Sequence, residues 1–235
     1  MPSLREIHSV LASELKKALT LEPVTLKYQF PVRPIRTLGL IKMDGEVFSS
    51  EKLLRIVCLR IKLPVYISVC STFIRPKPEY DLPVLSCETI MTGSKRLFLV
   101  DAHRTGEESA KDEHDPFFDR LIKIRDSYPE LMKYQKQSSS GEGIQSLHSR
   151  AVCKVRITQD MDDMALGVFK EYLNAYADLV NKTPQLSGDA LDKVKQAFES
   201  YLKTVIDHDP GIKANKIFFG KKEGVARALE MYYGI

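Results

Sequence analysis

The sequence predicts an α/β protein, a three-layer α/β/α sandwich around a central, mostly antiparallel sheet of about seven strands. Three observations carry that prediction. Short β-rich runs fill Val24 to Thr158, and segments with helical periodicity lie on both sides of them. The connections between successive runs are mostly short, "KLP" and "TGS" among them, which favours an antiparallel meander over crossovers. Helices before and after one sheet can cover both of its faces. No internal repeat is found, and residues 1–235 are expected to form a single domain.

The elements follow in order. Ser3 and Glu6 have capping-box spacing, and Leu4, Ile7, Leu11, Leu15 and Ala18 make one helical stripe running to about Leu21. Seven strand candidates come next: "VTLKYQF", "RTLGLIKM", "KLLRIVCLRI", "VYISVCSTFI", "PVLSCETIM", "KRLFLVDAH" and "AVCKVRI". "MDGEVFSSE" is read as a connection, with Asp44 and Glu46 flanking a turn at Gly45. Between the sixth and seventh strands lies a longer insertion. It holds the polar "TGEESAKDEHD", a helix "DPFFDRLIKIRDSYPELMKY" with Asp115 as N-cap and Pro116 at N1, and the linker-like "QKQSSSGEGIQS". After Thr158, two long segments carry i, i+3/i+4 apolar stripes, and a last segment gives two short helices broken at Gly220.

Composition narrows the function. The 235 residues are 43% hydrophobic and 28% charged, ordinary for a soluble globular protein, and no apolar run approaches a membrane span. The amphipathic N-terminus lacks the pattern of a secretory signal. Cys58, Cys70, Cys87 and Cys153 lie in apolar strands without a CxxC pair, which predicts buried free thiols and a cytoplasmic location. A net charge of +4 and a pI of 8.7 suit an acidic protein or small-molecule partner. The charges form no aromatic-interleaved stripe, which argues against nucleic acid. Nothing demands more than a monomer. No GxGxxG, P-loop, GxSxG, HExxH or His/Cys cluster is found, so no bound nucleotide, flavin or metal is expected.

Two carboxylates stand out. Glu88 interrupts a strand that otherwise reads as buried, and alternation puts it on the same face as Ser86. It is either an ion-paired or rim residue, or an acid whose pKa is raised by burial. Asp209 in "VIDHDPGIKANKIFFG" has the pattern of a helix N-cap before Pro210. Arg150, Lys154 and Arg156 recur at alternate positions on one strand face, a solvated row that could also hold carboxylates. His103 and Arg104 end the strand beside it.

"PKPEYDLPVLSCETIM" resembles the turn and strand of the ferredoxin-dependent bilin reductases, "PxPxxxLPxF" followed by an acidic or amide residue. "RLFLVDAH" resembles the next family strand, and "DPGIKANKIFFG" the family's C-terminal DP…FG segment. The resemblance spans roughly residues 40–235. It extends to the related red chlorophyll catabolite reductases, which can carry Glu at the strand position. It implies an α/β/α sandwich that binds a linear tetrapyrrole between sheet and C-terminal helices, with no bound cofactor. Reduced ferredoxin, an acidic carrier, would deliver single electrons from outside, and Glu88 and Asp209 would supply protons to substrate radicals. Ser86, His103 and Lys213 are then expected at the substrate, with Arg156 and either Arg150 or Lys154 gripping its propionates. The chain departs from the pattern where some members carry a strand His, a position aligned here with Val57, and at Ile212, where the family has Arg. Two alternatives stand beside a bilin reductase: a red chlorophyll catabolite reductase-like enzyme and a non-catalytic tetrapyrrole carrier.

Overall fold

The computed structural model describes residues 3–103, 105, 115–136 and 146–235. Arg104 and most of the two polar segments in the insertion lie outside the described residues. Among the described residues, seven strands form one sheet in sequence order, every neighbouring pair antiparallel: β1 Glu22–Pro23, β2 Lys42–Ser49, β3 Leu53–Leu63, β4 Ile67–Pro76, β5 Val84–Thr92, β6 Lys95–His103 and β7 Cys153–Thr158. The sandwich prediction holds. α1 Ile7–Lys16, α2 Pro116–Asp126, α3 Pro129–Met132 and α4 Asp162–Lys182 bury one face. α5 Gly188–His208, α6 Pro210–Phe219 and α7 Lys221–Ala228 pack on the other.

Two of the expected strands are corrected. "VTLKYQF" and "RTLGLIKM" are mostly irregular, and β2 instead occupies "KMDGEVFS", the stretch read as a connection. Pro31 and Pro34 cannot donate to a ladder, so the chain touches β2 there only at an isolated Val32–Met43 bridge. Gly45 lies mid-strand, not in a turn, because a Cβ on it would come within 2.8 Å of the Cys58 carbonyl oxygen on β3. α1 ends at Lys16, short of Leu21. The insertion helix splits at Pro129, since the residue before a proline is driven out of the helical region. The Asp115 cap stands, accepting from the Phe117 amide at 2.9 Å.

The first layer holds the larger core. Leu4, Ile7 and Leu11 meet Phe98, Phe169, Tyr172 and Tyr176, all fully buried. All four cysteines are free and face this layer. Strand register sets Cys58, Cys87 and Cys153 in one transverse row with Thr72 and Val100. One ion pair is sealed here: Arg96 Nε donates to Asp162 Oδ1 at 3.2 Å, and Asp162 Oδ2 accepts from the Leu4 amide and the Ser3 hydroxyl.

The second layer holds the smaller core, and its last two helices are short. At Gly220 the chain turns from α6 into α7 with φ 91°, a value that suits glycine. Gly224 lets α7 lie directly on α6, for a Cβ there would run into the backbone of Asn215 and Lys216. Gly224→Ala therefore costs roughly 1–3 kcal/mol, measured as a lower urea midpoint with unchanged slope.

Candidate active site

The site forms on the sheet face under α5–α7. Alternation along β5 sends Leu85, Cys87 and Met91 into the first layer and Ser86 and Glu88 toward the second. Glu88 lies deep in the protein yet is only half-buried, so the sheet face beside it, here called the cleft, is left partly open. Directly across β4 is Ser71, whose hydroxyl donates to Glu88 Oε1 at 2.5 Å. Burial raises the Glu88 carboxyl to about 8; the Ser71 bond works against that rise and the nearby Asp209 charge adds to it. A partner and a proton are thus both present.

Asp209 arrives from the helical side. Its backbone is extended, and its side chain accepts from the Ile212 amide at 2.8 Å, capping α6 as expected. Burial still raises its carboxyl above the usual range, ahead of the opposing pull of the backbone amides and Lys213. Cap and buried acid coexist in one residue.

Tyr232 completes the cluster. Its phenol sits beside the Ser71 hydroxyl, its proton held by burial and by the Glu88 and Asp209 carboxyls. A π-helical turn at Leu229–Tyr233 lets consecutive tyrosines, Tyr232 and Tyr233, both pack edge-on against Phe73, with centroids 5.3 and 5.2 Å away. Around the carboxyls, Val69, Leu97 and Leu99 are only half-buried and Ile90 is 38% exposed. They give the cleft an apolar floor.

The other predicted residues divide. Ser86 lies within 3.4 Å of His103 Nε2. His103 is buried and held neutral, its imidazole lowered to about 3 by burial and by His148 beside it. Lys154 is opposite Leu99, which is itself opposite Glu88. That puts its backbone about 10 Å from that of Glu88, on the same face. Arg156 shares that face but is exposed. Arg150 does not join them. It lies in the turn before β7 and pairs with Asp119 of α2 at 2.6 Å, so the expected row of three cations is a pair. Lys213 is exposed one helical turn beyond Asp209. Val57 sits on β3 opposite Phe73, two strands from Glu88; the strand before the turn is β4, and its residue facing Glu88 is Ser71.

Ser71, Tyr232 and Arg75 were missed. Arg75 is buried on β4 with its guanidinium 4.0 Å from the Phe198 ring centre. Its Nε and Nη1 have no partner among the described residues, and burial lowers it to about 10. Unspent donors on a buried cation suit a carboxylate. Only the loop-to-strand register of β4 and β5 could have pointed to Ser71; nothing local marks the other two. No group of three or more His, Cys, Asp or Glu placed to hold a metal occurs among the described residues.

A family model described as ferredoxin-dependent bilin reductase matches residues 8–225. The chain belongs to that family. The structure of selenomethionine phytochromobilin synthase from tomato in complex with biliverdin matches this chain with a TM-score of 0.77. The match covers 97% of this chain and 81% of that one at 18% identity, a likeness of fold. No curated protein sequence matches it. Among its described residues no helix is long and apolar enough to cross a membrane.

Proposed function

We propose that this bilin reductase reduces a double bond of a linear tetrapyrrole, biliverdin or a related bilin, with electrons from reduced ferredoxin. Two single-electron transfers and two protons saturate one double bond, and Glu88 and Asp209 give the protons. The observation that carries the reading is the Glu88 carboxyl, held by Ser71 among half-buried apolar side chains on the sheet face under the C-terminal helices, where burial raises it to about 8. At neutral pH, Ser71 donates to Glu88 Oε1, which leaves the other carboxyl oxygen to carry the proton. Asp209 enters from α6 rather than the sheet, so two unlike acids address different substrate atoms. Lys154, Arg156 and the unspent donors of Arg75 are the cations available for the propionates.

The test is an absorption spectrum of the protein with biliverdin, taken anaerobically before and after reduced ferredoxin is added. A bound-pigment spectrum that evolves into a new product supports the reading. Binding without turnover favours a carrier or a chlorophyll-catabolite substrate, and no binding ends it.

The pH dependence has a defined sign. The acid works protonated, so single-turnover reduction falls as pH rises through about 8. Ser71→Ala removes the bond that lowers the Glu88 pKa, and the alkaline limb of the rate profile moves to higher pH. A limb that stays in place rules out Glu88 as the titrating donor.

A further inference from the structure

The geometry points to the outer face of α6 and the turn packed on it as the docking surface for a small acidic protein. On the proposed function, that protein is the reduced ferredoxin. Large apolar side chains are exposed at nine described positions, and four of them lie on α6 or on the turn packed against it and the residues just after: Ile35 (90%), Leu38 (87%), Leu40 (66%) and Ile217 (71%). The short 3₁₀ turn Ile35–Thr37 lies against α6, and the Arg36 guanidinium rests on Gly220 at the far end of that helix. Leu38 holds a left-handed backbone conformation, φ 52°, which non-glycine residues adopt at a cost. An apolar side chain left exposed on a strained backbone suits a contact made with another molecule.

Charge selects the occupant. Residues 31–41 carry Arg33 and Arg36, and residues 210–222 carry Lys213, Lys216, Lys221 and Lys222; neither stretch contains an Asp or Glu, and the next acid, Asp44, is paired with Lys42 at 4.0 Å. Glu223, just beyond, is engaged by Arg227 one turn along α7. Exposed apolar residues among cations fit a partner with apolar contacts inside an acidic rim.

Position ties the surface to the chemistry. α6 begins at the Asp209 cap and carries Ile217 eight residues later, about 12 Å along the axis. A carrier seated on its outer face is separated from the substrate cleft by about one helix diameter, 10 Å.

The test uses two double variants of the full chain, Leu38→Ser with Ile217→Ser, and Lys221→Glu with Lys222→Glu. All four residues are exposed and lie outside the cleft. The KM for ferredoxin is expected to rise at least tenfold in each. In the lysine variant its dependence on salt weakens, while biliverdin affinity and reduction by dithionite match the wild type. Wild-type turnover with an unchanged ferredoxin KM in both variants overturns the surface alone. So does a wild-type dimer in sedimentation that the apolar variant makes monomeric, for the face then belongs to a second copy. A wild type that ferredoxin cannot drive defeats the proposed function, and the docking assignment with it.

Discussion

Glu88→Gln lowers the rate of bilin reduction by about 10²–10⁴-fold, the usual contribution of a positioned general acid, and leaves biliverdin affinity nearly unchanged. The amide keeps the shape of the carboxyl and still accepts from the Ser71 hydroxyl, but has no acidic proton to give. Stability moves the other way, which separates lost chemistry from lost folding. Between the ordinary carboxyl value of 4.5 and about 8, the folded chain holds a proton that the unfolded chain has released. Stability therefore falls as pH rises through that window and is level above it. Glu88→Gln removes this penalty and is more stable than the wild type at pH 8 by an amount on the order of 1–3 kcal/mol, discounted for the solvent reaching a half-buried group. The gain vanishes near pH 4.5. Anaerobic single-turnover spectra and denaturation at the two pH values check both halves. Asp209→Asn is the companion variant, since Asn caps a helix as well as Asp does. It loses activity without losing α6, whereas an Asp209 that only caps would tolerate Asn.

Asp162→Ala costs about 3–5 kcal/mol. Both members of the Arg96–Asp162 pair are almost wholly buried, at 1% and 2% side-chain exposure. Removing the carboxylate strands the Arg96 guanidinium within the first layer. It also takes the acceptor from the Leu4 amide and the Ser3 hydroxyl, so the N-terminal turn loosens from the start of α4. Urea denaturation measures the loss. A change below 1 kcal/mol would show that Arg96 finds other acceptors beyond the Gly93 and Lys95 carbonyls it already uses.

The fold was legible in the sequence wherever alternation was strong. β3 to β6 were placed within a few residues, because apolar residues on alternate positions mark strands whose faces are buried by different layers. β2 was hidden by its Asp-Gly pair, a turn signature in sequence; packing against β3 requires the glycine there, a contact that no local pattern encodes. Likewise, Asp209 was legible as a cap from the Asp-Pro pair, while its burial depends on what the sheet and the C-terminal turn place beside it. Ser71 reads as one small polar residue in an apolar strand until register sets it against Glu88. Arg150 was misplaced for a related reason: counting by twos from Arg156 assumed that β7 began before Cys153, but the chain is still turning there.

On the proposed function, with its single-electron transfers, the transverse row of cysteines has a consequence. Thiols give up hydrogen atoms easily, and a pigment passing through one-electron states would abstract them if they shared its chamber. Parity along β3, β5 and β7 turns Cys58, Cys87 and Cys153 to the opposite side of the sheet from Glu88, and Cys70 on β4 faces the same way. Burial also suppresses their ionisation, pushing Cys58 and Cys153 up to about 12. A single thickness of backbone thus serves as a firewall: oxygen acids on one side, oxidisable sulfur on the other.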